Sequence, residues 1–264
     1  MAAPIVGVSL KMYFGIAETV AWCEAIRADV ARSPVEFFVA PPAVAIPAVV
    51  SALAGTGALV GAQNLWHEDR GAYTGEQGGP LLAEAGCSLV EIGHAERRRL
   101  FGETDALVAL KVAAALRSGL TPLLCVGEER RGDPDVAADR CAEQLDAALA
   151  VAAERGLSGR VLVAYEPIWA IGTAEPASAA HVATVATRLR AGLSGHPVAS
   201  SSGVLYGGSA GLGTLTALGG AVDGIFLGRY AHDPRALAAV LDEAASVNGG
   251  SETRKTPTGS DDEA

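Results

Sequence analysis

Short apolar runs in this sequence are repeatedly followed by residues that could take part in chemistry. They comprise a carboxylate, an imidazole, an ammonium group and two glycine turns, namely Glu166, His94, Lys11, Gly207-Gly208-Ser209 and Gly228-Arg229. A carboxylate can serve as a base, and the nitrogen groups can stabilise negative charge as it develops, so the set would suit catalysis. Taken singly, each has an ordinary explanation, such as a solvated carboxylate, a surface lysine, a structural histidine or a flexible turn.

The elements that must position these residues follow from the hydrophobic pattern. Eight apolar runs are predicted as strands, at 5–9, 36–40, 59–62, 89–92, 123–126, 161–165, 204–206 and 224–227. The clearest helices are predicted at 17–31, 105–118, 134–155, 177–193 and 234–246. Strands that are apolar throughout and alternate with helices indicate a parallel sheet covered on both faces.

We therefore predict an α/β protein with a single (β/α)8 barrel, because eight such units can close on themselves and about 250 residues is a common length for this fold. The active site of such a barrel lies at the carboxyl ends of its strands, which is where the five groups above fall. The barrel is predicted to span residues 1–248. Residues 249–264 are small or charged and lack apolar anchors, so they are predicted to form a disordered tail.

Composition narrows the possible partners. The 264 residues carry a formal net charge of −10, which argues against nucleic acid or an anionic membrane as the main partner but not against a small anion. No apolar run reaches the ~18 residues of a membrane span, and residues 1–4 do not resemble a signal peptide, so a cytoplasmic location is expected. The four cysteines and five histidines lack metal-ligand spacing, and nucleotide-binding glycine motifs are absent. Reduced thiols are therefore expected, with no metal and no cofactor.

Eight segments of the sequence resemble those of triosephosphate isomerases. They are Lys-Met (11–12), Gly-Ala-Gln-Asn (61–64), Gly-Ala-Tyr-Thr-Gly-Glu (71–76), Gly-His-Ala-Glu-Arg-Arg (93–98), Phe-Gly-Glu-Thr-Asp (101–105), Cys-Val-Gly-Glu (125–128), Ala-Tyr-Glu-Pro-Ile-Trp-Ala-Ile-Gly-Thr (164–173) and Tyr-Gly-Gly-Ser (206–209). They occur in the family's order, and the similarity runs from residue 5 to about residue 247, leaving only the tail uncovered.

The resemblance implies roles for the residues at the strand ends. Glu166 would remove a proton from the carbon beside a substrate carbonyl and return it to the neighbouring carbon through an enediol. His94, held neutral, would polarise the carbonyl and move protons between the oxygens. Lys11 would supply positive charge, with Glu96 as a supporting carboxylate nearby. The chemistry needs this set because a carbon acid ionises at neutral pH only if its enolate is stabilised as it forms.

The resemblance also implies a lid, a phosphate site and a dimer. Residues 167–173 would close over the substrate and exclude water. Backbone N–H groups would bind the phosphate. These N–H groups belong to Gly172, Ser209, Gly228 and Arg229. The loop 65–79 resembles the arm through which the family forms homodimers, with its tip near Thr74 inserted beside the neighbour's active site. A merely long surface loop is the alternative.

Four positions depart from the family's pattern. Ser9 stands where the family usually has an asparagine, whose amide donates a hydrogen bond to the substrate. Ala95 replaces a serine that can hold the catalytic carboxylate. Gly228-Arg229 replaces two glycines, and Ala174-Glu175-Pro176 replaces Gly-Lys-Thr at the lid hinge. Loss of the amide at position 9 would weaken transition-state binding of a triose unless something compensates.

A larger substrate that undergoes the same chemistry reconciles the intact base with the altered position 9. We expect a four-carbon ketose phosphate, converted from the L-erythrulose 1-phosphate type to the D-erythrulose 4-phosphate type. Its additional hydroxymethyl group would occupy the space that Ser9 leaves, and Arg229 would bind the phosphate or the new hydroxyl. The altered segments around Ser9 and Arg229 also resemble the family's tetrulose-phosphate branch. Two alternatives remain open: an ordinary triosephosphate isomerase, and a catalytically silent phosphosugar-binding protein.

Overall fold

A closed barrel of parallel strands forms the centre of the molecule, as the sequence predicts. The computed structural model describes residues 3–173 and 176–249. Its strands are β1 (Ile5–Ser9), β2 (Glu36–Ala40), β3 (Leu59–Ala62), β4 (Leu89–Ile92), β5 (Thr121–Val126), β6 (Gly159–Tyr165), β7 (Ala199–Tyr206) and β8 (Gly224–Leu227). They are hydrogen-bonded in chain order, and β1 pairs with β8 to close the barrel. The prediction of a (β/α)8 barrel is confirmed.

Helices surround the barrel. In the described part of the chain they are α1 (Ile16–Arg32), α2 (Ile46–Ala52), α3 (Gly79–Glu84), α4 (Ala95–Phe101), α5 (Asp105–Arg117), α6 (Pro134–Glu154), α7 (Ala179–Leu193), α8 (Thr214–Leu218) and α9 (Pro234–Gly249). Short 3₁₀ helices lie at Ala43–Ala45, Ile168–Ala170 and Arg229–His232. The caps explain where the helices begin: the Thr104 side chain accepts from the N–H of Leu107, and Pro134 occupies the first turn of α6.

The structure departs from the prediction mainly where polar residues interrupt a run. Strand β7 begins at Ala199 rather than at 204, because exposed serines at 200–202 continue the pairing with β6 through their backbones. Helices α2, α3, α4 and α8 have seven residues or fewer, too short to give the period by which the longer helices are predicted.

Two apolar layers stabilise the barrel. The inner layer fills the barrel itself, where the rings of Phe38 and Phe226 stack at 5.8 Å between centroids. Gly7 leaves room for this packing, because a Cβ at that position would overlap the Phe38 ring. The outer layer lies between strands and helices and contains most of the buried aliphatic side chains. The interior of the barrel is thus a packed core rather than an open channel.

The structure also describes the cysteines and part of the predicted tail. All four cysteines are free and buried. Within residues 3–173 and 176–249, no helix is long and apolar enough to cross a membrane and no cluster of side chains could hold a metal ion. The predicted disordered tail lies outside the described residues apart from Gly249, where α9 ends, and so do Ala174 and Glu175 of the lid hinge.

Candidate active site

One cavity at the carboxyl ends of the strands collects nearly all the residues singled out in the sequence. Its lining includes Ser9, Lys11, His94, Glu96, Glu166, Gly172, Ser209, Gly228 and Arg229. Thr74 is exposed and lies outside this lining, on the loop after β3. The structure therefore brings together every predicted site residue except the one expected to act on a neighbouring copy.

Lys11 follows β1 in a backbone conformation that is uncommon for a residue with a side chain. Its φ is 49°, in the left-handed region that non-glycine residues adopt at some energetic cost. The Gln63 amide fixes this conformation by donating to the carbonyls of Lys11 and Ala40, each over 2.9 Å. The Lys11 Nζ donates to Glu96 Oε1 over 2.6 Å. Burial raises the pKa of Glu96, but the Lys11 hydrogen bond and charge outweigh burial and leave that pKa below its ordinary value.

His94 lies at the start of α4, where its ring caps the helix. Its Nδ1 accepts from the backbone N–H of Glu96 over 3.1 Å. Burial lowers the pKa of His94, but the nearby Glu166 and Glu91 carboxylates outweigh burial and raise it. The hydrogen bond decides the protonation state in this conformation, because an N–H cannot donate to a protonated nitrogen. The ring is therefore neutral with its proton on Nε2, which lies 3.5 Å from Glu166 Oε2.

A buried network holds the loop that carries His94. The Glu103 carboxylate accepts from the N–H of Gly93 over 3.1 Å and from Arg97 Nε over 2.7 Å. The Lys111 Nζ donates to Glu103 over 2.8 Å and to Asn64 over 2.6 Å. This network ties β3, the His94 loop and α5 together, so the imidazole is held by charged contacts as well as by packing.

Glu166 follows β6 with its carboxyl group almost fully buried. Its N–H donates to the carbonyl of Val126 over 2.8 Å, and its side chain lies against Gly207, where a Cβ would be 2.9 Å from Oε1. Among the described residues, its Oε2 has no hydrogen-bond partner. Burial raises the pKa of Glu166, and the positive charge of Lys11 offsets only part of this effect. A buried carboxylate that lines the cavity and has an oxygen without a hydrogen-bond partner is suited to accept a proton.

A second buried carboxyl group, Glu91, was missed by the sequence analysis. It lies in β4 and accepts from Ser9 Oγ over 3.0 Å, and its other oxygen is 3.8 Å from His94 Nε2. Burial raises its pKa, and the positive charge of Lys11 and the hydrogen bond from Ser9 counteract this only in part. The available signal was a charged residue inside an otherwise apolar run, since buried carboxylates without a partner are rare.

The predicted phosphate-binding residues meet at one side of the cavity. Ser209 has a φ of 51° and its Oγ donates to the carbonyl of Ala170 over 2.6 Å. A Cβ on Gly172 would lie 3.7 Å from Arg229 Nη2, and a Cβ on Gly228 would lie 3.9 Å from Lys11 Cε. The Arg229 guanidinium thus reaches the lid backbone rather than pointing away from the site. Two cations and several glycine turns give this side of the cavity positive potential.

A tryptophan holds the segment that the sequence predicts to be a lid. Trp169, in the 3₁₀ helix Ile168–Ala170, donates from Nε1 to Glu128 Oε1 over 2.7 Å. Glu128 also accepts from the Tyr165 hydroxyl over 3.1 Å, and its Oε1 lies 3.1 Å from His181 Nε2. The sequence analysis quoted Glu128 within a motif without assigning it a part. These contacts give the lid a defined resting position, which closure over a ligand would have to exchange for others.

Comparison with known proteins gives consistent results. The model of the triosephosphate isomerase family matches residues 4–244. An L-erythrulose-1-phosphate isomerase from Pectobacterium atrosepticum is 50% identical over 248 residues, 92% of this chain and 96% of the relative. A triosephosphate isomerase from Herpetosiphon aurantiacus is 41% identical over 214 residues, 79% of this chain and 85% of the relative. The crystal structure of triosephosphate isomerase from Bartonella henselae matches with a TM-score of 0.76 and 31% identity, covering 91% of this chain and 98% of that one.

Proposed function

The chain belongs to the triosephosphate isomerase family, and on that premise we propose that this phosphosugar isomerase acts on a four-carbon ketose phosphate. The proposed reaction interconverts L-erythrulose 1-phosphate and D-erythrulose 4-phosphate. It moves the carbonyl from the carbon next to the phosphorylated carbon to the next carbon along the chain. A proton leaves one of these carbons and a proton is delivered to the other, so no atom is gained or lost and no oxidant is needed.

Glu166 performs the carbon-to-carbon proton transfer in this proposal. Its carboxylate takes the proton from the hydroxyl-bearing carbon next to the carbonyl and returns it to the former carbonyl carbon. The free oxygen of its buried carboxyl and the raised pKa support this role. The His94 Nε2–H donates to the carbonyl oxygen and then moves protons between the two oxygens of the enediol. Lys11 stabilises the negative charge that develops there, which lowers the barrier to ionising a weak carbon acid.

The phosphate binds between the lid and the last two loops. Backbone N–H groups of Gly172, Ser209 and Gly228 face it, and Arg229 adds a guanidinium that can donate two hydrogen bonds to the dianion. The position of Arg229 beside Gly172 supports this arrangement. Closure of the lid excludes water, which would otherwise allow the enediol to lose phosphate. A local positive site of this kind allows an acidic protein to bind an anion.

The observation that carries the choice of substrate is Ser9, which lines the cavity where the family usually has a longer amide. The shorter side chain leaves space beside Lys11 and His94 that an additional hydroxymethyl group would fill. The 50% identity to a relative named L-erythrulose-1-phosphate isomerase, across nearly all of both chains, supports the same choice. An ordinary triosephosphate isomerase is the second candidate, favoured by the intact base, imidazole and ammonium and by the relative from Herpetosiphon aurantiacus.

Glu166→Gln tests the enzymatic function. The amide has nearly the size of the acid but cannot accept the proton, so turnover should fall by at least about 10²-fold while phosphosugar binding stays within a few-fold. Turnover is followed by enzyme assay and binding by titration calorimetry. If the native protein binds either ketose phosphate but turns over neither, it is a silent binding protein. Unchanged turnover in the variant would exclude Glu166 as the base.

We also propose that the protein is a cytoplasmic homodimer. Exposed apolar side chains come from four consecutive βα units: Met12, Val44, Tyr73 and Phe101. Consecutive units lie side by side around a barrel, so these side chains border one face, and exposed apolar patches of this kind often mark interfaces. The loop 65–79, with Thr74 exposed at its tip, lies on the same face. Four free, buried thiols are typical of a reducing compartment.

A further inference from the structure

Glu91 is the strongest unexplained feature of the site. A carboxyl group whose side chain is only 5% exposed is costly to bury, and the proton transfers assigned above make no use of it. Its neighbours along β4, Val90 and Ile92, are apolar, whereas its own contacts are with polar side chains that line the cavity. These contacts are Ser9 Oγ at 3.0 Å and His94 Nε2 at 3.8 Å.

The hydrogen bond to Ser9 fixes what that hydroxyl can offer a substrate. A serine hydroxyl has one hydrogen and two lone pairs. When the hydrogen is donated to the Glu91 carboxylate, only the lone pairs remain for the cavity that Ser9 lines. An asparagine amide at the same position would instead donate to the substrate. The Ser9–Glu91 pair therefore reverses the polarity of this part of the site, from a donor to an acceptor.

We propose that Glu91 is a positioning residue that commits the Ser9 hydroxyl to accept a hydrogen bond, and that the pair thereby selects a substrate with an additional hydroxyl group. This inference rests on the proposed function and deepens it. The terminal hydroxymethyl group of the four-carbon substrate supplies the required O–H donor. The triose has a hydrogen atom in its place and leaves the acceptor unpaired, which disfavours it.

The protonation of Glu91 would switch this preference. A protonated Glu91 donates to Ser9 and releases the serine hydrogen for donation to the substrate. The groups that face Glu91 are Lys11 after β1, His94 after β4, Cys125 on β5 and Glu166 after β6. Because burial raises the pKa of Glu91, the preference for the tetrulose should weaken as pH falls, at a higher pH than for an exposed carboxylate. Titration of His94 and Glu166 changes the turnover of both substrates and largely cancels in their ratio.

The test compares kcat/KM for L-erythrulose 1-phosphate and dihydroxyacetone phosphate in the native protein, Glu91→Gln, Ser9→Ala and the double variant. Each single change should lower the tetrulose-to-triose ratio by about tenfold, the typical effect of one net hydrogen bond. The double variant should be no worse than Ser9→Ala, because Glu91 acts through Ser9. In the native protein the tetrulose-to-triose ratio should decrease as the pH is lowered. In Glu91→Gln the ratio should not change with pH. Glu36→Gln is the matched control. Glu36 is a carboxylate at the start of β2, outside the lining of the cavity, so this change should leave the ratio unchanged.

Three outcomes would overturn the proposal. They are an equal loss on both substrates in Glu91→Gln, a ratio in that variant with the native pH dependence, and multiplicative effects in the double variant. Failure of the proposed function is distinguishable, because it is read from the native protein alone. A native protein that prefers the triose contradicts the proposed substrate, whereas the shift of the ratio in Glu91→Gln still decides the role of Glu91.

Discussion

At the scale of single residues, the site is a balance of charges in which each carboxyl group has a different environment. Glu96 is half-exposed and paired with Lys11, which lowers its pKa, whereas burial raises the pKa values of Glu91 and Glu166. The same residue type thus provides a carboxylate that stays ionised at one position and carboxyl groups that hold a proton more readily at the other two. Lys11 is the group that connects these effects, because its charge lowers the pKa of both Glu96 and Glu166.

Replacement of Lys11 by methionine should therefore change the pH profile as well as the rate. As the proposed base, Glu166 must be ionised to act, so kcat/KM should fall as pH drops through its pKa. Without the Lys11 charge that pKa rises further, and the acid limb moves to higher pH. We expect a loss of about 10²–10³-fold in kcat as well, typical of removing one group that stabilises a developing oxyanion.

Lys11→Arg is the matched control, because it keeps the charge. Its acid limb should stay near the native position even if its rate is reduced by altered geometry. An acid limb that is the same in Lys11→Met and in the native protein would show that Lys11 does not influence the base.

At the scale of secondary-structure elements, the network around Glu103 holds the loop between β4 and α4. Lys111, on α5, is 1% exposed and pairs with Glu103 and Asn64. Removing one partner from a buried ion pair leaves the remaining charge with fewer contacts that offset the cost of its burial, and this costs more than the pair itself contributes. The network therefore contributes both to stability and to the placement of His94.

Lys111→Met should lower the free energy of unfolding by about 3 kcal/mol, measured by urea denaturation. Arg188→Met is the control, since its pair with Asp139 is exposed on both sides and should contribute less than ~1 kcal/mol. Equal effects of the two changes would show that the buried network has no special part in stability.

Five of the eight strands could be predicted to the residue, because each is an apolar run that ends at a glycine, a proline or a polar residue. The site residues at strand ends could be predicted for the same reason, helped by the family's motifs. The contact between Ser9 and Glu91 could not be predicted from the sequence. It joins residues 82 apart on strands that are not neighbours, and it depends on which side chains of a buried strand face the barrel interior. An apolar run carries no alternation from which that facing could be read.

At the scale of the whole molecule, the proposed dimer determines how the loop 65–79 is used. Its rings pack within the loop, with Trp66 and Tyr73 at 5.4 Å between centroids, so the loop has a defined shape without a partner. Thr74 remains exposed at its tip. A loop that is ordered yet exposes its tip is suited to insertion into a second copy.

Thr74→Arg should convert the dimer to a monomer in sedimentation experiments and lower kcat by at least about tenfold, because a bulky charge cannot be buried unpaired at an interface. Thr187→Arg, an exposed threonine on α7, is the control and should change neither property. A native protein that sediments as a monomer with full activity would contradict the proposed assembly.

The proposed function is enediol isomerisation of a four-carbon ketose phosphate. The most direct measurement is proton NMR of the native protein in D₂O with L-erythrulose 1-phosphate and dihydroxyacetone phosphate in parallel. The proton that the base removes from carbon exchanges with D₂O before it is returned, so deuterium should appear at the carbon next to the carbonyl together with isomerised product. We expect fast exchange and conversion of the tetrulose phosphate, slow reaction of the triose, and neither reaction in Glu166→Gln. Fast reaction of the triose alone would contradict the four-carbon substrate, and no exchange with either compound would contradict the enediol chemistry itself.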